Sequence, residues 1–182
     1  MENGFGTEHF PAVDRRVRSI VTAALLAALA CAATMVIRIP SPTGGYLNLG
    51  DTVVLLGAFL LGPWAGALAG GIGSAMADAL SGYMVYVPAT LVIKSVVALT
   101  SGFLYRSLRN RTGGMIFAAL GGEIPMVAGY WLFDALLLQS WVGAVAGILG
   151  NLVQAGFGVA VSVFLAAALR KSGFVRSRFP NL

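Results

Sequence analysis

Lys94, Glu123, Asp78 and Asp51 are ionisable residues set in or beside long apolar runs, and Asn151 and Gln154 bring two carboxamides into another. Charge at membrane depth is costly, so it marks either a functional interior or a paired scaffold. Lys94 lies 12 residues before Arg106, and Glu123 lies 12 residues after Arg111. At 1.5 Å per residue both sit ~18 Å from the basic ends of their segments. An ion pair between them, across antiparallel neighbours, is therefore expected. It is either scaffold that offsets its own desolvation or the charged wall of a ligand pocket. Asp78 falls near the C-terminal end of its segment, where the helix dipole disfavours an anion, and needs a cationic or hydrogen-bonding partner, with Arg38, Lys94 or a ligand as candidates. Asn48-Leu49-Gly50-Asp51 has the form of a capping box, which reads Asp51 as the opening of the next helix. Asn151 and Gln154 share a face at i and i+3, suited to joining helices or to reading a ligand.

Six aromatics, Tyr46, Tyr83, Tyr86, Tyr130, Trp131 and Trp141, map to one side of the apolar runs, while Trp64 and Tyr105 map to the other. An interfacial belt populates both boundaries. The asymmetry points either to a one-sided belt or to rings that stack on a flat ligand. This is binding chemistry, and no catalytic residue is expected. The chain has no Gly-x-x-x-x-Gly-Lys loop and no Gly-x-Ser-x-Gly elbow. Its one histidine, His9, and one cysteine, Cys31, cannot build a metal site, so neither metal nor cofactor is expected.

The elements that must position these residues follow from composition. Of 182 residues, 58% are hydrophobic and 10% charged, with a mean hydropathy of +0.84. One soluble core could not hide so much apolar surface, so the surplus must face lipid. Six apolar stretches are expected over 17–37, 51–61, 64–81, 87–106, 113–138 and 144–169. The second is short for a crossing of ~20 residues. Ten of the twelve Lys and Arg cluster before the first stretch, between the fourth and fifth, and after the sixth. These fall on one side only if the chain crosses six times, and that side is the cytoplasm. The same clustering explains the net charge of +5 without nucleic acid, which is not an expected partner. The expected fold is thus an all-α integral membrane protein, a bundle of six transmembrane helices with both termini cytoplasmic. Residues 1–14 form a cytoplasmic tail, 15–171 the helical domain and 172–182 a second tail.

Helices in lipid associate through small side chains that let backbones approach. Gly62, Gly66, Gly70 and Ser74 form one ladder, expected to pack inside the bundle. Ala24, Ala28 and Ala32, with Ala23 and Ala27 beside them, form a second, smooth enough to dock another protein. Residues 38–50, with two prolines and Gly44-Gly45, read as a structured loop capping an outward-facing polar and aromatic cavity.

The run from Gly45 to Gly102 contains Gly45-Tyr46-Leu47-Asn48-Leu49-Gly50-Asp51, Leu60-Leu61-Gly62-Pro63, Gly73-Ser74, Ala77-Asp78, Ser81-Gly82-Tyr83, Tyr86-x-Pro88-Ala89-Thr90 and Ile93-Lys94. It resembles the substrate-binding S component of energy-coupling factor (ECF) vitamin transporters, in the riboflavin-type branch, and the similarity extends over about 17–170. The resemblance implies a subunit of an ECF-type ABC importer in the bacterial cytoplasmic (inner) membrane. It would capture a water-soluble vitamin or precursor from outside, and a transmembrane T component with two cytoplasmic ATPases would power delivery. It places the T-component contact on Ala24 and Ala28, with Ala23 and Ala27 as the other register, and gives the loop with Tyr46 and Asn48 a part in closing the site. Riboflavin and a thiamine-related hydroxymethylpyrimidine are the first ligand candidates. The expected substrate-binding set is Tyr46, Asn48, Asp78, Tyr83, Tyr86, Lys94, Glu123, Tyr130, Asn151 and Gln154. A small solitary channel or carrier is the rival reading, weakened by the lack of repeated halves with paired broken helices.

Overall fold

The computed structural model describes residues 13–108, 112–179 and 181. Residues 1–12 of the expected 1–14 tail, with His9, and the basic residues Arg109 and Arg111 lie outside the described residues, as do the side chains of Arg15, Arg16 and Arg176, while positions 13 and 14 already belong to the first helix. Seven helices run through the described chain: α1 (Val13–Val36), α2 (Gly50–Leu61), α3 (Pro63–Leu80), α4 (Val87–Ser107), α5 (Thr112–Leu137), α6 (Trp141–Arg170) and the short α7 (Gly173–Arg178). The first six match the six expected stretches to within four residues at each end, the scatter normal for such boundaries. α7 lies where only a tail was expected.

The boundaries have local causes. Gly62 turns the chain between α2 and α3 at φ 81°, a conformation that L side chains rarely adopt, and Pro63 then opens α3 where its missing N–H does no harm. Pro88 does the same at the start of α4. Ser140 caps α6 by accepting a hydrogen bond from the Gly143 N–H at 3.0 Å. Pro125 lies inside α5 and removes one backbone donor there.

The centre of the bundle is α2. It packs against α1, α3, α4 and α6, and Gly50 to Leu60 are all buried. A helix apolar on every side is one enclosed by others. At 12 residues it is shorter than each of the five helices around it. Around it, α1 packs on α3, α3 on α4, α4 on α5 and α5 on α6, and α6 returns to α2. Val54, Leu55 and Phe59 of α2 meet Val97 and Tyr105 of α4, Met126 of α5 and Val159 of α6 in the core.

The glycine ladder is internal. A Cβ on Gly66 would lie 2.8 Å from the Cα of Ala58, and one on Gly70 would lie 3.0 Å from Val54 Cγ1, so this face of α3 sits directly on α2. On its other sides Gly73 admits the backbone of Ala27 in α1. The outward faces carry Leu25, Leu68, Val92, Phe117, Ile124, Leu149 and Phe164, all exposed. Such a surface is stable only in lipid. Among the described residues four helical segments are long and apolar enough to cross a membrane: Val17–Val36, Val87–Ser107, Gly113–Leu137 and Trp141–Arg170.

Between α1 and α2 the chain forms a small hairpin. Strands β1 (Ile39–Pro40) and β2 (Tyr46–Leu47) pair antiparallel, with Ile39 opposite Leu47 and Pro40 opposite Tyr46. Its tip is closed by Ser41 N–H to Gly45 O at 2.9 Å and Gly44 N–H to Ser41 O at 3.1 Å. This is the structured loop expected from its prolines and glycines.

Candidate functional site

The deepest polar group is a cluster beneath the hairpin. Lys94 of α4 and Asp51 in the first turn of α2 are each about 1% exposed, and Nζ lies 2.5 Å from Oδ1. Gln154 of α6 donates from Nε2 to the other Asp51 oxygen at 2.5 Å, and its Oε1 accepts from the Asn48 N–H at 2.7 Å. Gln154 thus ties the end of the loop to the buried ion pair. Two expectations are corrected here. Lys94 pairs with Asp51, not with Glu123, because α2 runs through the middle of the bundle and carries its carboxylate closer than α5 does. Asp51 is not a cap: Leu49 occupies the cap position with no side-chain bond, and the Asn48 side chain accepts from the Gly50 N–H at 2.8 Å. Glu123 is buried at 3% exposure with no hydrogen-bond partner for either oxygen. It faces an apolar groove between α5 and α6 shared with Trp131.

Above the cluster, α3, α4, α5, α6 and the hairpin enclose a narrow cavity. Its helical walls are Asp78, Tyr86, Thr90, Tyr130, Asp134, Asn151 and Gln154, and its roof is Ser41, Thr43, Gly45, Tyr46 and Asn48. The Tyr46 hydroxyl donates to Asp78 Oδ1 at 2.6 Å. That tyrosine, and neither Arg38 nor Lys94, is the partner Asp78 needed at the end of α3. Burial, then the Asp78 carboxylate, push the Tyr46 phenol well above its ordinary pKa, so it remains a donor at any physiological pH. Tyr86 donates to Asp134 Oδ1 at 3.0 Å and to the Thr43 carbonyl at 3.2 Å. Thr90 Oγ1 and the Tyr130 hydroxyl lie 2.9 Å apart. Beneath them the Lys94 ammonium sits 5.3 Å from the centre of the Tyr130 ring, in cation–π range.

Of the ten residues expected to bind substrate, Tyr46, Asn48, Asp78, Tyr86, Tyr130, Asn151 and Gln154 line this one cavity. Tyr83 stacks on Tyr46 with ring centres 4.5 Å apart, behind the lining. Lys94 lies under it and Glu123 lies away from it. The outer aromatics therefore divide: three line the cavity, whereas Trp131 and Trp141 pair with each other at 5.5 Å.

Asp134 is a cavity residue that sequence reasoning missed. The signal was present, since Asp134 follows Tyr130 by four positions and so shares its face of α5. Gly147 of α6 makes room for it, because a Cβ there would lie 3.2 Å from Asp134 Oδ2. Thr43 and Thr90 were also missed as site residues; Thr43 is uncharged and outside any motif, and Thr90 stood out only as part of the Tyr86-x-Pro88-Ala89-Thr90 run.

The cavity leaves about 30 Å³ for the centres of water-sized spheres, enough for roughly two waters. What the walls offer is hydrogen bonding, aromatic surface and negative charge. Among the described residues no group of His, Cys, Asp and Glu is arranged to hold a metal.

On the α1 surface, Ala24 and Ala28 are exposed and Ala23 and Ala27 half-buried. Together they line a shallow apolar groove whose other wall is Leu68, Ile72 and Met76 of α3.

Comparison with known proteins places this geometry in context. The family model described as ECF-type riboflavin transporter, S component, matches residues 15–171. A protein of Pyrococcus woesei, known as an uncharacterised protein in the gap 3' region, is 40% identical over 139 residues, covering 76% of this chain and 92% of that protein. The thiamine precursor transporter HmpT of Lactococcus lactis subsp. cremoris is 26% identical over 137 residues, covering 75% and 77%. Among solved structures, the S component of a bacterial ECF transporter superposes with a TM-score of 0.65 at 20% identity, over 86% of this chain and 97% of that one. The S-component for biotin from an ECF-type ABC transporter superposes with a TM-score of 0.71 at 17% identity, over 93% and 100%. These two likenesses are of fold.

Proposed function

The chain belongs to the family of ECF-type riboflavin transporter S components, and on that premise we propose that it captures a vitamin or vitamin precursor in the cavity under the 38–49 hairpin. The observation that carries this reading is the convergence of Tyr46, Asp78, Tyr86, Tyr130, Asp134, Asn151 and Gln154, from four helices and the hairpin, on one end of the bundle. In this reading α1 to α6 all cross the cytoplasmic membrane, α2 wrapped by the rest. Arg18, Arg106, Arg170, Lys171 and Arg178 lie at helix ends or just beyond them, on the side opposite the cavity, which fits a cytoplasmic face under the positive-inside rule. The cavity then opens outward, and both termini lie inside.

Energy comes from partners: a transmembrane T component and two cytoplasmic ATPases. The T component docks on the α1 groove, where the exposure of Ala24 and Ala28 favours their register over that of Ala23 and Ala27. The hairpin admits ligand by giving up its bonds to Asp78, Gln154 and Tyr86, and remakes them on closing. Riboflavin and a hydroxymethylpyrimidine remain the leading ligands. The narrow cavity and the thiamine precursor transporter HmpT among the relatives favour the single-ring compound.

The deciding experiment is to purify the chain in detergent, denature it, and identify by mass spectrometry what it releases. Calorimetric titration with riboflavin and with the hydroxymethylpyrimidine then measures affinity. Sub-micromolar binding of a vitamin or precursor is the expected result; release of no small molecule and no binding of either compound would refute the capture role.

A further inference from the structure

Asp78 and Asp134 stand on different helices, α3 and α5, yet both line the cavity, at 4% and 3% exposure. Each accepts one tyrosine hydroxyl, from Tyr46 and from Tyr86. A carboxylate has roughly four acceptor positions over its two oxygens, so one phenol, with a threonine hydroxyl also beside each acid, Thr90 at Asp78 and Thr43 at Asp134, leaves both with capacity to accept more. Among the described residues, no Lys, Arg or His lines the cavity. The nearest ammonium, Lys94, lies below it and is already paired with Asp51. Buried carboxylates without a cation are poorly compensated, and a ligand that supplies positive charge or strong donors relieves this.

Resting on the capture reading above, the geometry points to a charge rule for the ligand: the cavity accepts small ring compounds that are cationic or rich in N–H and O–H donors, and rejects carboxylated or phosphorylated ones. Asp78 and Asp134 are the residues that impose the rule, Asp134 from the α5 wall and Asp78 from the α3 wall. An anion entering this site would meet two carboxyl groups in a water-poor space with no cation in the lining. An amino or hydroxymethyl substituent would donate to the oxygens that the tyrosines leave open. Sites built around acceptors discriminate strongly in this way, because a wrong ligand leaves them unpaired.

The test uses the full chain in detergent and matched probes that differ in charge: 4-amino-5-hydroxymethyl-2-methylpyrimidine and its phosphate ester, riboflavin and its phosphate ester, and panthenol and pantothenate. Affinities are read by calorimetry for the parent and for the Asp78→Asn plus Asp134→Asn variant, in which the amide oxygens still accept from the two tyrosines. The expected result is that an unphosphorylated or uncharged member binds the parent, and its anionic counterpart binds about 100-fold more weakly or worse. In the variant that ratio narrows by about tenfold or more. Should an anionic member bind the parent as tightly as its counterpart, the charge rule is wrong while vitamin capture stands. A folded variant with an unchanged ratio removes the rule from these two residues and assigns it to size. Failure of every probe to bind the parent overturns the capture reading and the rule with it. The parent panel decides the rule by itself if the variant does not fold.

Discussion

Asp51 and Lys94 meet in the buried centre of the bundle, where each charge is the other's partner. Removing one partner of a buried pair leaves an uncompensated charge and costs about 3–5 kcal/mol, whereas replacing both by apolar groups is often close to neutral. Lys94→Met alone is therefore expected to lose about 3–5 kcal/mol of stability, and Lys94→Met with Asp51→Leu to recover most of it. Unfolding by heat or by graded denaturing detergent measures both. If Lys94→Met were as stable as the parent, the pair would not be holding the cluster. The double variant carries a second signature. Gln154 would lose one of its two partners while the Asn48 N–H stayed in place, so the loop end would loosen without the helices separating.

Helices α1 and α3 use small residues in two different ways. On α3, Gly66 and Gly70 are closed in by α2, and any side chain there collides with backbone or with Val54. On α1, Ala24 and Ala28 meet no such barrier, because only 17% of the apolar window of that helix is buried in the bundle, against 39% for α4. Their small size is not needed for the chain's own packing, which supports the proposed docking face. Ala24→Trp with Ala28→Trp is expected to leave melting temperature and ligand affinity close to the parent's while abolishing co-purification with the T component. An intact complex in that variant would move the docking surface elsewhere on the molecule.

For the molecule as a whole, the arrangement is a cup with its polar contents at one end and, apart from Arg38 and Lys94, its described basic residues at the other. With Cys31 replaced by Ala, a single cysteine at Pro42 is expected to react with a membrane-impermeant maleimide in intact cells. One at Ser172 is expected to react only after the cells are opened. Liposomes holding this chain alone are expected to show no vitamin flux, since the 38–49 hairpin guards one end and the packed core around α2 blocks the other. Reversed labelling, or free flux, would support the solitary channel or carrier instead.

The positions of six helices were legible in the sequence because apolar runs bounded by Gly62-Pro63, Pro88 and Ser140 impose them locally, whatever the helices later touch. A structured loop at 38–50 was legible for the same reason, but its pairing as two short strands was not. Most of the cavity wall was legible too, since Tyr46, Asp78, Tyr86, Tyr130 and Asn151 are polar or aromatic residues grouped at one end of those runs. Which charge met which was decided only by tertiary structure. Depth along two helices made Lys94 and Glu123 look like partners, but lateral position depends on how all the helices pack. Nothing in the periodicity of α2 reveals that it occupies the centre, where Asp51 reaches Lys94 first. Asp134 entered the site by the same logic, through a gap left by Gly147 on a helix that only folding brings beside it.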